Sequence, residues 1–210
     1  MKKNKVVSLK SNFSGHLLEC GCDEAGRGCL AGAVFAAAVV FPKDYKNTLL
    51  NDSKKISDKQ RYQLRPVIEK EALAWSVATV SPTTIDKINI LNASILAMHR
   101  AIEGLNVQPE FIIVDGNRFK PYQTIPYETI VKGDAKYLSI SAASILAKTY
   151  RDDYMIELDK EYPQYEWKKT KGYPTLKHRE VIEEIGFTPY HRKSFKLLKG
   201  EQLAFEFKSI

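Results

Sequence analysis

The chain has 210 residues, 44% hydrophobic and 27% charged, with a formal net charge of +7 and a pI near 9.1. That length suffices for one hydrophobic core, or one domain with a small appendage. No apolar run approaches the roughly 18–20 residues needed to span a bilayer. Only three cysteines occur, Cys20, Cys22 and Cys29, which argues against a disulfide framework and fits a reducing compartment. No signal-peptide pattern follows the basic start Met1-Lys2-Lys3, so a soluble cytoplasmic protein is expected. Cys20 and Cys22 share a side if they lie on a strand. No second Cys/His pair accompanies them, and a structural zinc needs four ligands.

In chain order, residues 1–14 are polar and read as a flexible tail. Residues 16–22 read as a strand running into Asp23, and residues 32–41 as a second strand ended by Pro42. The glycines between them suggest an antiparallel hairpin. After a polar loop at 51–57, Ser57-Asp58-Lys59-Gln60 fits a capping box that opens a helix toward Glu71, with Pro66 expected to kink or break it. Residues 73–80 alternate as a third strand, and Ser81-Pro82 is a helix start. A long helix is expected near 89–105, because Leu91, Ile95, Met98, Ile102 and Leu105 recur on one helical face. The apolar run 111–114 is a short strand delivering Asp115, and another strand is expected near 129–132.

Residues 138–161 read as a long helix rich in small residues such as Ser139, Ser141, Ala142, Ala143, Ser144 and Ala147, suited to close packing on a sheet. The serines Ser141 and Ser144 are read as packing residues. Thr175 caps a further helix that stops at Gly186. The expected organisation is an α/β domain over residues 15–210, its sheet partly antiparallel, with a helical element over about 175–210.

Two features point toward chemistry. Residues 166–200 hold nine Lys/Arg against four Asp/Glu, a net of +5. A localised basic segment suits a polyanion, although a solvated face explains it equally well. Second, Asp23 and Glu24 end a strand before Gly26-Arg27-Gly28, Asp115 ends another before Gly116-Asn117, and Asp134 follows Lys132-Gly133. Acids at strand ends converge on one edge of a sheet, where open α/β folds place ligands. Phosphodiester hydrolysis needs an activated water and a stabilised leaving oxygen, and paired divalent ions held by oxygen ligands provide both. Each acid alone reads more readily as an ordinary turn residue.

Taken in order, the motifs resemble the ribonuclease HII family of the ribonuclease H-like superfamily. They are Asp23-Glu24-Ala25-Gly26-Arg27-Gly28, Asn51-Asp52-Ser53-Lys54-Lys55 and Val114-Asp115-Gly116-Asn117. Lys132-Gly133-Asp134-Ala135 follows, with Ser141-Ala142-Ala143-Ser144 after it, then Lys171-Gly172-Tyr173-Pro174-Thr175 and His191-Arg192-Lys193-Ser194-Phe195. The resemblance spans roughly residues 17–195. It implies a ribonuclease H-like mixed sheet flanked by helices, and Mg²⁺ or Mn²⁺, two ions per site, held by Asp23, Glu24, Asp115 and Asp134. It also implies cleavage on the 5′ side of a ribonucleotide, leaving 5′-phosphate and 3′-hydroxyl ends. The backbone of Gly26, Arg27 and Gly28 would read the 2′-hydroxyl, the group that separates RNA from DNA. Tyr173 would stack near the RNA–DNA junction. Phosphate contacts are expected from Lys54, Lys148 and Arg192, with Lys55, Lys171 and Lys193 as further candidates.

The implied partners are RNA–DNA hybrids and ribonucleotide-containing DNA duplexes, for a monomer without a recognisable sliding-clamp peptide. Cys29 and Ala33 stand where the family often has proline, beside the site but outside the acid set. Two alternatives remain. One is a hybrid-only nuclease of the ribonuclease HIII type, against which the short N-terminus and Gly26-Arg27-Gly28 argue. The other is a non-catalytic hybrid-binding module, against which the intact acid set argues.

Overall fold

A computed structural model of the chain describes residues 9–50 and 56–197. The elements run β1 (Glu19–Ala25), β2 (Val34–Val40), α1 (Asp58–Glu71), β3 (Ala74–Val80), α2 (Pro82–Glu103), β4 (Phe111–Asp115), β5 (Tyr127–Ile130), α3 (Leu138–Glu161), α4 (Trp167–Thr170) and α5 (Leu176–Ile185). They form one mixed sheet in the order β3-β2-β1-β4-β5. β1, β2 and β3 are an antiparallel meander, whereas β4 runs parallel to β1 and β5 parallel to β4.

The sheet is covered on both faces, which is why β2 is apolar and buried at every position. On one side Cys20, Cys22, Ile112 and Val114 meet Ala97, Met98, Ala101 and Ile102 of α2. On the other, Ala37 and Val39 meet Leu138, Ala142, Ala143 and Leu146 of α3, with Leu64 and Ile68 of α1 filling in beside them. The small residues of α3 permit a close approach. A Cβ added at Gly21 of β1 would lie 2.4 Å from the Ser139 carbonyl carbon.

The hairpin, the capping box and the two-sided sheet follow the sequence pattern; several details differ. α1 passes through Pro66 without ending there, because Leu64 and Ile68 anchor the helix on both sides of the proline. α2 begins at Pro82, capped by Ser81 as that pair predicts, and runs on into the helix expected near 89–105. Asn89 interrupts it at φ 63°, and its Oδ1 accepts from Asn92 N at 3.1 Å, so the expected helix is the second, recapped part of α2. Of its predicted stripe, Ile95, Met98 and Ile102 are buried, while Leu91 lies at the exposed margin. β5 stops at Ile130, two residues before the expected end, with Val131 turned outward and Lys132 in the left-handed region.

Of the tail expected over residues 1–14, residues 1–8 lie outside the described residues, and residues 9–14 are docked. Leu9 is buried, Lys10 N donates to Lys136 O, and Phe13 N and Ser14 N donate to the Glu19 carboxylate. The short helices α4 and α5 build a further cluster in which Trp167, Tyr165, Val181 and Ile182 pack on Met155 and Leu158 of α3 and on Leu30 and Ala31. Among the described residues no helix is long and apolar enough to cross a membrane.

Candidate active site

The parallel pairing of β1 with β4 assembles the acids. Cys22 stands opposite Val114 in the register, so the next residue on each strand, Asp23 and Asp115, emerges at the same sheet edge. Asp115 Oδ1 accepts from Gly133 N at 2.6 Å. That bond draws the turn Gly133–Ala135, and with it the buried Asp134, up to the end of β4. Glu24 completes the group. All four carboxylates line one cavity of about 370 Å³, which Gly26, Arg27, Gly28 and Tyr173 also border.

The electrostatics of this cavity are unfavourable to its own acids. Burial pushes the Asp23 carboxyl well above the usual carboxylate range, and the nearby charges of Glu24 and Asp115 push it further. Hydrogen bonds from Ser144 and Glu24 N, the latter at 2.7 Å, only partly oppose this. Burial also raises Glu24, against the pull of Arg27, whose Nη1 lies 3.0 Å from Glu24 Oε1. Buried carboxylates that raise one another's proton affinity have the chemistry of a cation site. The donors are oxygens without a cysteine or histidine among them, which suits Mg²⁺ or Mn²⁺. As placed, these side chains turn to their own neighbours, and among the described residues no three His, Cys, Asp or Glu groups are already arranged around one point.

The loop between β1 and β2 is fastened from beneath by two buried arginines. Arg151 of α3 donates to Ala31 O, Ala33 O and Lys171 O at 3.1, 3.2 and 2.9 Å. Arg192 donates Nη1 to Arg27 O at 2.9 Å, and Nε and Nη2 to Gly32 O. Gly26 needs its hydrogen: φ is +91°, and an added Cβ would sit 2.0 Å from Arg151 Nε. Leu30 N donates to Gly172 O at 2.8 Å, so the loop and the Tyr173 segment are hydrogen-bonded neighbours. Cys29 and Ala33, the two departures from proline, are both buried in this layer.

The expected phosphate contacts divide. Lys148 borders the cavity and lies 3.5 Å from Asp152 Oδ2. Lys193 is exposed, its backbone N bonded to Asp86. Lys171 turns its Nζ to Lys168 O at 2.6 Å. Lys54 and Lys55 fall outside the described residues. Arg192 is a correction: it is fully buried with its guanidinium spent on backbone carbonyls, so no face of it is open to a phosphate. Ser144 is another. It faces Asp23 across the cavity, whereas Ser141 is a packing residue as expected. Asp152 and Arg151, unremarked in the sequence, also border the cavity. Their signal was available: Ser144, Lys148 and Asp152 recur every four residues, a polar stripe on an otherwise buried helix.

A mixed sheet in this order, flanked by helices and carrying acids at the ends of its two central parallel strands, defines a protein of ribonuclease H-like fold. The Ribonuclease HII family model matches residues 20–198, and the chain belongs to that family. It is 69% identical over 190 residues to the ribonuclease HII of Parabacteroides distasonis, covering 90% of this chain and 95% of that protein. The fold matches the crystal structure of ribonuclease H2 from Pyrococcus horikoshii with a TM-score of 0.75 at 26% identity, over 85% of this chain and 94% of that one. It also matches the Archaeoglobus fulgidus ribonuclease HII, solved in complex with PCNA, with a TM-score of 0.73 at 27% identity over 89% and 98% of the two chains. The chain is accordingly a metal-dependent endoribonuclease of the ribonuclease H class, hydrolysing the RNA strand of RNA–DNA hybrids.

Proposed function

We propose that this enzyme also incises duplex DNA on the 5′ side of a single embedded ribonucleotide, leaving 5′-phosphate and 3′-hydroxyl ends. The observation that carries this reading is that Gly26, Arg27, Gly28 and Tyr173 border the same cavity as Asp23, Glu24, Asp115 and Asp134. Groups suited to sensing a ribose thus share one cavity with groups suited to cutting beside it.

Asp23, Glu24, Asp115 and Asp134, which line one cavity, would hold two divalent ions. Bound there, Mg²⁺ or Mn²⁺ would supply positive charge for the phosphate oxygens and lower the pKa of water. The chain's own contribution is positioning. The exposed backbone of Gly28, where an added Cβ meets nothing within 4 Å, leaves room for a ribose to approach. The Tyr173 ring, 46% exposed, offers a stacking face to the neighbouring base pair. Lys148 supplies a positive charge at the rim, where it can meet a phosphate without reading sequence. Ser144 holds the Asp23 carboxylate from the α3 side.

The test is a DNA duplex with one ribonucleotide, incubated with Mg²⁺ or Mn²⁺ and mapped at single-nucleotide resolution. A single cut 5′ to the ribose with a 3′-hydroxyl end is expected. Cleavage of RNA tracts with the single ribonucleotide spared would replace this reading by the hybrid-only one.

A further inference from the structure

Beneath Tyr173 lies a pair of histidines that the chemistry above does not use. His178 and His191 are both fully buried, and their Nε2 atoms are 3.1 Å apart. Their protonation follows from the donors around them. Thr188 N, which can only donate, points at His191 Nδ1 at 2.9 Å, so that nitrogen is an acceptor and the His191 proton sits on Nε2. Trp167 Nε1, again only a donor, points at His178 Nε2 at 3.1 Å. His178 Nε2 is therefore the acceptor for both Trp167 and His191, and its own proton sits on Nδ1. That proton is donated to Tyr173 O at 3.0 Å.

The carbonyl of Tyr173 matters because the ring has no anchor of its own. Among the described residues no hydrogen bond or ring contact restrains the Tyr173 side chain. The backbone that carries it runs between Gly172 at φ +77° and the Thr175 cap of α5. Gly172 is in turn bonded to Leu30 of the recognition loop, and Arg192, next in sequence to His191, is bonded to Arg27. One hydrogen-bonded layer thus runs under both ribose-sensing elements.

We propose that His178 and His191 are positioning residues that fix the Tyr173 ring against the 26–28 loop, and so set the preference for a lone ribonucleotide. This rests on the reading that Tyr173 meets the junction. Burial keeps both rings neutral, His191 down at about 3, as the relay requires.

The experiment compares His178→Gln with His178→Asn. Glutamine can still accept from Trp167 through its longer side chain but leaves Tyr173 O without its donor. Asparagine places an amide near the Nδ1 position and keeps that donor. On a duplex with one ribonucleotide, His178→Gln is expected to lower kcat/KM about tenfold, a displacement effect. Cleavage of a long RNA tract should stay within about twofold, and His178→Asn should restore most of the loss. Binding of the one-ribonucleotide duplex over an all-DNA duplex, measured in EDTA, should fall in parallel. In a Tyr173→Ala background the Gln substitution should add nothing further.

Equal losses on both substrates, or a loss that persists without the Tyr173 ring, would overturn the proposal in favour of a purely structural pair. A wild-type enzyme that spares the single ribonucleotide removes the functional reading itself, and this inference with it. Imidazole ¹⁵N shifts of the wild-type protein provide a test that needs no variant. They should report Nδ1–H at His178 and Nε2–H at His191, and the opposite tautomers exclude the relay.

Discussion

The guanidinium of Arg192 donates to the main-chain carbonyl of Arg27 at 2.9 Å, joining two residues 165 positions apart. A residue expected at the substrate surface thus forms the underside of the loop between β1 and β2. Arg192→Lys keeps the charge but loses the planar fork that serves two carbonyls at once. Leaving those acceptors unpaired should cost about 2–3 kcal/mol. Thermal unfolding should show a midpoint lower by several degrees. The salt dependence of duplex binding separates the two roles. A phosphate contact changes its slope by about 1 when removed, so Lys148→Ala should flatten it and Arg192→Lys should leave it unchanged.

The raised carboxyl of Asp23 carries a cost in the metal-free protein. A carboxylate whose folded pKa lies above its unfolded value adds stability in acid, and loses it as pH rises through the folded pKa. At pH 7–8 without metal, Asp23→Asn should therefore be more stable than the parent, by about 1 kcal/mol or more. Added Mn²⁺ should raise the melting temperature of the parent and have little effect on the variant. Cleavage should be lost in Asp23→Asn. Full activity in that variant would remove Asp23 from the site.

Two glycines separated by a single residue should behave oppositely. Gly26→Ala meets both a positive φ and the Arg151 guanidinium. It should destabilise the fold by about 1–3 kcal/mol and lower kcat/KM on ribonucleotide substrates up to about a hundredfold through the displaced loop. Gly28→Ala has open space around its new methyl. Its melting temperature should match the parent, while affinity for ribonucleotide duplex falls if the ribose approaches there. Calorimetry and anisotropy on the same preparations measure both.

Acid stability tests the histidine layer. His191 is held at about 3 by burial and by its neighbour His178. Its neutral form in the fold therefore contributes stability that is present above about pH 6.5. That contribution is lost progressively as pH falls toward 3, because the unfolded chain takes up the proton first. His191→Asn should flatten this part of the stability–pH curve in denaturant titrations. Asp23 acts with the opposite sign, so the comparison is best made in an Asp23→Asn background.

Much of this architecture is legible from local pattern. The capping box at Ser57, the alternation of β3 and the small-residue face of α3 each arise from short-range rules. The motif order was enough to single out Asp23, Glu24, Asp115 and Asp134 and the loop 26–28. The less legible parts depend on what packs where. Pro66 reads as a helix breaker until Leu64 and Ile68 are seen gripping the helix on both sides of it. Ser144 reads as a packing residue until the helix is rotated against β1. Arg192 reads as a phosphate ligand because a basic side chain in a basic segment carries no mark of its own burial.

By itself, then, the sequence determined which residue types were present and which local elements they form, because capping, periodicity and turn preference act within a few residues. Tertiary structure alone decided the convergence of Asp23 with Asp115, which depends on the parallel register of β1 and β4. It likewise decided that Arg151, Arg192, His178 and His191 stand buried behind the 26–28 loop and the Tyr173 segment. Those roles come from burial and from hydrogen bonds between distant carbonyls and donors, and such pairings exist only once the chain has closed on itself.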